Sequence, residues 1–269
     1  MMGNILKIAL LFLLASQFLF AQAKSNGEIH FSSQRKNANL TIDHFGNIYI
    51  YTSGVIDKYN SSGKLLYTYS ITNSSSITSI DVVNPLRILV FLKDINQLLF
   101  LDNTLSETGI VLNLNTMELP LTTLVCNSSS KGFWLFDSQN IELIHLSNSL
   151  ETLSKSGNLA LVLQRDLNVI GMKEFNNEVY LLSESSILVF DIFGTYSKEI
   201  PFACAQCVFT ENALYSCDTL LSSYQFKSRQ VNTLLTFREE EKGWRKTSNG
   251  KYLYSINEAG DVRITSVTE

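Results

Sequence analysis

Histidine is almost missing from this 269-residue chain, with three against 16 phenylalanines and 11 tyrosines. His30, His44 and His145 fall in an end strand, a turn and an outer strand. Nothing brings two together as metal ligands or sets one beside a nucleophile. As single residues they read as surface or edge histidines. Proline is as scarce, at three residues, and leaves no room for a Pro-rich linker between domains. Charged residues make up only 17% of the chain. A net charge of -4 with a pI near 5.5, and no stripe of lysine or arginine, excludes a phosphate-backbone partner, so no nucleic acid is expected. Glycine-rich phosphate loops, HExxH, DxDxDG and GxSxG are all absent. No catalytic residue, resident metal or cofactor follows from the motifs.

What is present begins with a targeting pattern. Lys7 precedes the apolar run Ile8 to Ala15, and the stretch ends in Ala21-Gln22-Ala23, the small-x-small form read by signal peptidase. The run is too short to span a bilayer, which takes roughly 20 apolar residues. Residues 1–23 are therefore expected to be a cleaved signal peptide and 24–269 a single domain, periplasmic or extracellular, that does not span the membrane. No cysteine lies near the cleavage site, so lipid attachment there is not expected. The phenylalanine-rich core and FAQ ending resemble signal peptides of proteins exported by gliding, Gram-negative bacteria.

The stretch Phe45 to Ile71 sets the fold. Ile48 to Thr52, Val55 to Tyr59 and Leu65 to Ile71 read as three short strands, separated by turns at Ser53-Gly54 and Asn60 to Gly63. A lone meander leaves one face unburied and one edge unpaired, so it needs neighbours of its own kind. They recur at Ile48, Ile88, Phe133, Val179, Ala213 and Tyr252, with a mean spacing of about 41 residues, the length of one four-stranded propeller blade. A second match follows the first five: Tyr59-Asn60, Leu101-Asp102, Leu146-Ser147-Asn148, Phe190-Asp191 and, more loosely, Tyr224-Gln225. The polar side chain there can bond the backbone of the next tight turn. The last unit has only three strands before Glu269, and Glu28 to Ser32 belongs to no unit. Added as the outer strand of the last blade, it ties both ends and leaves no orphan edge. The expectation is an all-β, six-bladed β-propeller closed by an N-terminal strand. A two-sheet sandwich is the alternative.

Over the mature sequence this pattern resembles the six-bladed propellers of the NHL and related repeat families. Lactonase-like propellers place carboxylates and amides around the axial channel to hold a divalent ion. Asp43, Asp81, Asn127, Glu174 and Glu211 each stand two to seven residues before one of the repeated strands. They are candidate binding residues, and turn-formers would look the same. The run Arg238 to Lys246 is the one dense charged segment and reads as an inter-blade loop, with Trp244 as a candidate interface anchor or a core residue.

Four cysteines in an oxidising compartment make a disulfide possible. Cys126 lies about two units from the others and is left free. A hairpin turn at Glu211-Asn212 places Cys207 opposite Ser216, one step out of register with Cys217. A Cys207–Cys217 bond is expected, with Cys204 competing. A redox CxxC at Cys204 to Cys207 lacks the usual helix N-terminus, since Pro201-Phe202 reads as strand.

With a rigid scaffold and no complete catalytic constellation, the expectation is a non-enzymatic binding scaffold of the bacterial envelope with a protein partner. The export style resembles accessory subunits beneath outer-membrane machines such as the type-nine secretion translocon. A carbohydrate- or peptide-binding module, or a metal-dependent lactonase-like hydrolase, are the alternatives.

Overall fold

The meander of the first unit folds as its pattern dictates, with strands Ile48–Tyr51, Val55–Tyr59 and Leu65–Ser70 paired antiparallel. Asn39–Ile42 adds inside them to complete a four-stranded sheet. The computed structural model describes residues 28–267, apart from 73, 74, 118, 120 and 131. The export signal read at 1–23 lies outside the described residues.

Six such four-stranded sheets follow one another as the blades of a six-bladed β-propeller, and the two-sheet sandwich is overturned. Five of the six second strands start on the expected residue: Ile48, Ile88, Phe133, Ala213 and Tyr252. The fourth starts one residue early, at Glu178. Blade six takes its outer strand, Ile29–Ser32, from the N-terminal end, paired with Asp261–Ser266 at Ile29↔Ile264 and Phe31↔Val262.

Each second strand is buried on both faces, so its residues alternate between two neighbours rather than between core and water. Ile88, Val90 and Leu92 pack toward blade one with Tyr49 and Ile80. Leu89 and Phe91 pack toward blade three with Phe133 and Leu135. The same alternation gives six hydrophobic clusters, one per seam. The seam between blades five and six is the thinnest among the described residues, with Cys217, Leu221, Phe237 and Leu253 as its buried members.

The turn residues do what their position predicts. Asn60 Oδ1 accepts from the N–H groups of Ser62 and Lys64, Asp102 Oδ1 from Thr104 and Ser106, and Asp191 Oδ1 from Phe193 and Thr195. In blade three Ser147, not Asn148, takes this role. Gln225 caps nothing and bonds Ser223 Oγ instead. Gly132, at φ +97°, allows the hairpin of blade three to cross the Leu146 carbonyl, which would lie 2.0 Å from any Cβ there.

The cysteine pairing differs from expectation. Cys204 bonds Cys207, while Cys126 and Cys217 are free and buried. The predicted register holds, with Cys207 opposite Ser216. It sends Cys217 to the other face of the sheet, because neighbouring strand residues point opposite ways. Cys207 faces the blade four seam and Cys217 the blade six seam, so the two cannot meet. Pro201-Phe202 is not strand either: the preceding strand ends at Ile200, and the connection that follows carries Cys204 back to Cys207. His145 also departs from expectation, since it is buried in the third strand of blade three, with its ring stacked 4.4 Å from that of Trp134.

Candidate functional site

The inner strands, Asn39–Ile42, Ser79–Asp81, Thr122–Asn127, Val169–Phe175, Cys207–Phe209 and Arg245–Ser248, surround the axis. They run in the same sense, so their C-terminal ends form one mouth, here the upper one. Five of the candidates read from sequence stand there. Asp43 and Glu211 follow their strands, Asp81 and Asn127 end theirs, and Glu174 is next to last. Trp244 does not join them. It precedes its strand, at the opposite end, half-buried with the Arg263 guanidinium 5.0 Å from its ring centre. The charged run around it holds a short turn, Glu239–Glu241, and buried Lys246, which donates to the carbonyls of Glu241 and Trp244 and lies 4.4 Å from the Phe237 ring centre.

Hydrogen bonding decides what the upper carboxylates can do. Asp43 Oδ1 accepts from the N–H groups of Phe45 and Asn47, both at 2.9 Å, and Oδ2 from Asn47 Nδ2 and Tyr49 Oη. That is the turn-forming pattern of Asn60 and Asp102, so Asp43 is a turn-former. Burial and the Asp43 charge hold the Tyr49 hydroxyl far above its ordinary range, which keeps it protonated as a donor. Asp81 Oδ1 accepts from Val83 N–H and Lys173 Nζ, and Oδ2 from Asn127 N–H at 2.9 Å. Lys173 belongs to blade four and Asp81 to blade two, so this 3.1 Å ion pair bridges the channel past blade three. Glu174 Oε2 accepts from Trp134 Nε1 at 2.6 Å, and Oε1 accepts from Ser129 N–H and Oγ.

Arg87 fastens blade two to blade three. It donates to Asn127 Oδ1 at 2.7 Å, to the Gly132 carbonyl and to Asn148 Oδ1, and its guanidinium lies 4.1 Å from the Phe100 ring centre. Burial lowers its pKa from the usual arginine value.

These atoms are committed to the protein itself. A hard cation needs several oxygen ligands with free lone pairs. Asp43, Asp81 and Asn127 spend theirs on N–H and O–H donors of the chain, as does Glu174 for the most part. Among the described residues no group of three or more His, Cys, Asp or Glu side chains could hold a metal ion. Glu211 is the exception among the five: it is exposed and makes no side-chain hydrogen bond among the described residues. Sequence reading missed Arg87, Lys173 and Ser129. The signal for Arg87 was present, as a lone positive charge just before the apolar strand Ile88–Leu92, whereas Lys173 lies inside its strand beside Glu174 and gave none.

Above the channel lie two adjoining cavities of about 520 Å³ each, sharing His44, Val83, Glu174, Phe175 and Asn176 along their walls. A third, of about 360 Å³, continues below Lys173 toward Ala205 and Gln206 of the disulfide loop. Beside the mouth, the first turns of blades one and two expose Phe45 and Leu86, each 70% accessible, and Val83 at 41%. Both turns are pinned by a side chain, Asp43 to Phe45 N–H and Asn84 to Leu86 N–H. No helix among the described residues is long and apolar enough to cross a membrane.

No protein-family profile matches the sequence, and no curated protein matches it. Solved structures do match in shape. A protein of unknown function from Bacteroides thetaiotaomicron superposes with a TM-score of 0.60 at 11% identity, over 90% of this chain and 72% of that one. A streptogramin B lyase gives 0.59 at 10% identity, over 89% and 96%. The Pan2 WD40 domain of Neurospora crassa gives 0.57 at 9%, over 88% and 80%. At such identities the likeness is one of fold, and the fold that this chain shares with them is the β-propeller.

Proposed function

We propose that this protein is a non-enzymatic binding platform of the bacterial envelope, exported by its N-terminal signal, that holds a protein partner on its upper face. The observation that carries the reading is the pair Phe45 and Leu86. Large apolar side chains exposed to this degree on the corresponding pinned turns of two neighbouring blades, next to a concave mouth, are a costly way to build a surface unless something covers them. The partner is envisaged as a subunit of an outer-membrane or secretion complex. A propeller face can supply the roughly 800 Å² that a stable interface needs from each side. Metal-dependent hydrolysis is the less supported alternative, because the carboxylates it would use are spent on internal donors.

The test is affinity purification of a tagged protein from its native envelope, beside the double variant Phe45→Ser with Leu86→Ser. The reading expects stoichiometric recovery of a defined partner with the parent protein. It also expects loss of that partner with the variant, at an unchanged melting temperature. Recovery of the protein alone, or equal recovery with the variant, overturns the reading. So does substrate turnover by the pure protein that Glu211→Gln or His44→Ala abolishes.

A further inference from the structure

The trough over the channel has a chemistry of its own, apart from the apolar turns beside it. Its charge balance excludes anions. Asp43, Glu174 and Glu211 line it and Asp81 lies beneath, against Lys173 and Arg87. Both cations are already engaged, Lys173 by Asp81 and Arg87 by Asn127, Gly132 and Asn148. A phosphorylated or carboxylated ligand would meet net negative charge and no unpaired cation among the described lining residues. A small cation has little more to bind. Among the described carboxylates of the trough, the one without an internal partner, Glu211, stands exposed in water, where its attraction is heavily screened.

What remains is a set of hydrogen-bonding side chains without internal partners. His44, Asn176 and Glu211 line the trough, are exposed, and make no side-chain hydrogen bond among the described residues. Asn249, beside them, is already engaged: its Oδ1 accepts from the N–H groups of Lys251 and Tyr252, and its amide bonds the Tyr254 side chain. Donors and acceptors are therefore mixed over a short distance. Beside them lie half-buried Phe175 and Phe209, with ring centres 5.6 Å apart, and Val83. Hydroxyl groups, each donor and acceptor at once, satisfy such a mixture, and the C–H face of a sugar ring suits the apolar strip. The cavities are also of the size that holds a ligand of several rings.

We propose that the trough formed by His44, Phe175, Asn176, Phe209, Glu211 and Asn249 is a binding site for a neutral oligosaccharide. It does not depend on the platform reading, because Phe45 and Leu86 lie outside it. The ligand enters and leaves from above, since the Lys173–Asp81 pair spans the channel beneath.

The experiment titrates the purified mature chain with a panel of neutral tetrasaccharides, gluco-, xylo-, manno- and chito-configured, and with trilysine as a cationic probe. Binding is read by saturation-transfer NMR and by melting temperature. At least one tetrasaccharide is expected to bind below 1 mM and to raise the melting temperature. Glu211→Gln, which keeps a hydrogen-bonding end and loses the charge, should change that affinity less than about threefold. Asn176→Gly removes the amide at a residue whose φ of +50° glycine adopts freely, and should weaken binding about fivefold or more without altering the melting temperature of the free protein. Failure of every tetrasaccharide at 10 mM overturns the proposal. So does tighter binding of trilysine that Glu211→Gln abolishes. The Leu86→Ser variant, which spares the Phe45 ring lying 3.9 Å from that of His44, should keep sugar binding, which separates failure of this site from failure of the platform.

Discussion

Replacing Trp134 by Phe asks how much one inter-blade hydrogen bond matters. Trp134 is fully buried in the second strand of blade three, and its indole N–H reaches Glu174 of blade four. Phenylalanine fits the same strand but leaves Glu174 Oε2, itself buried, without its donor. Loss of a hydrogen bond to a charged buried acceptor costs about 1.5–3 kcal/mol. The smaller ring also leaves a void beside Met172 and Leu181, worth about 1–2 kcal/mol. The stack on His145 largely survives, since a phenyl ring can still lie against the imidazole. The expected loss is thus about 2.5–5 kcal/mol. With a urea dependence of about 3 kcal/mol per molar, the midpoint should fall by about 0.8–1.7 M. Urea unfolding followed by tyrosine fluorescence and far-ultraviolet dichroism measures it. The double variant with Glu174→Gln isolates the bond, because the two losses should overlap by about 1.5 kcal/mol or more. A midpoint shift under about 0.3 M at unchanged slope, or strictly additive losses, would show that the contact is incidental.

Phe133→Ala should cost about 3–5 kcal/mol, since the ring is fully buried among Phe91, Phe100 and Leu135, and an unchanged denaturation midpoint would contradict that packing. Gly132→Ala should be at least as damaging for its size, because it adds both a clash with the Leu146 carbonyl and an unfavourable backbone angle. A melting temperature within a degree or two of the parent's would contradict the crossing described here. Non-reducing peptide mapping should find Cys204 linked to Cys207. Burial pushes the Cys217 thiol up to about 12, so at pH 8 only about one molecule in 10,000 carries the thiolate. Alkylation of Cys217 in the native protein should therefore be far slower than in denaturant and should quicken as pH rises toward 12. Equal rates in the two states would refute its burial.

The propeller was legible because its blades are self-similar. Second strands with β-branched and aromatic residues recur at a period that only a few architectures use, and the short last unit pointed to Ile29–Ser32 as its missing strand. The upper mouth was legible too, since residues just past inner strands must gather around an axis. What those residues do there was not. Donors that occupy Asp81 and Glu174 come from a neighbouring blade, Asn127 and Trp134, 46 and 40 residues away, and no local pattern records such a partner. Asp43 is the contrast, for its donors lie within six residues and its turn-forming role can be read from Gly46 and Asn47 alone. For the cysteines the register was right. The unread step was parity, because one residue along a strand exchanges one seam for the other.

The thin seam between blades five and six changes how the ring should come apart. A linear stack of repeats frays from its ends, but a closed ring has no end, and its first break falls at the contact of lowest energy rather than at the terminus. The junction tied by the N-terminal strand adds Ile29 and Phe31 to a ten-member cluster, so closure is not the weak point. Native-state hydrogen exchange should therefore find the earliest opening at Ser216, Leu221 and Leu253, while the chain's own point of closure stays protected. Seen this way the molecule behaves as a clasped band whose clasp is stronger than one of its links.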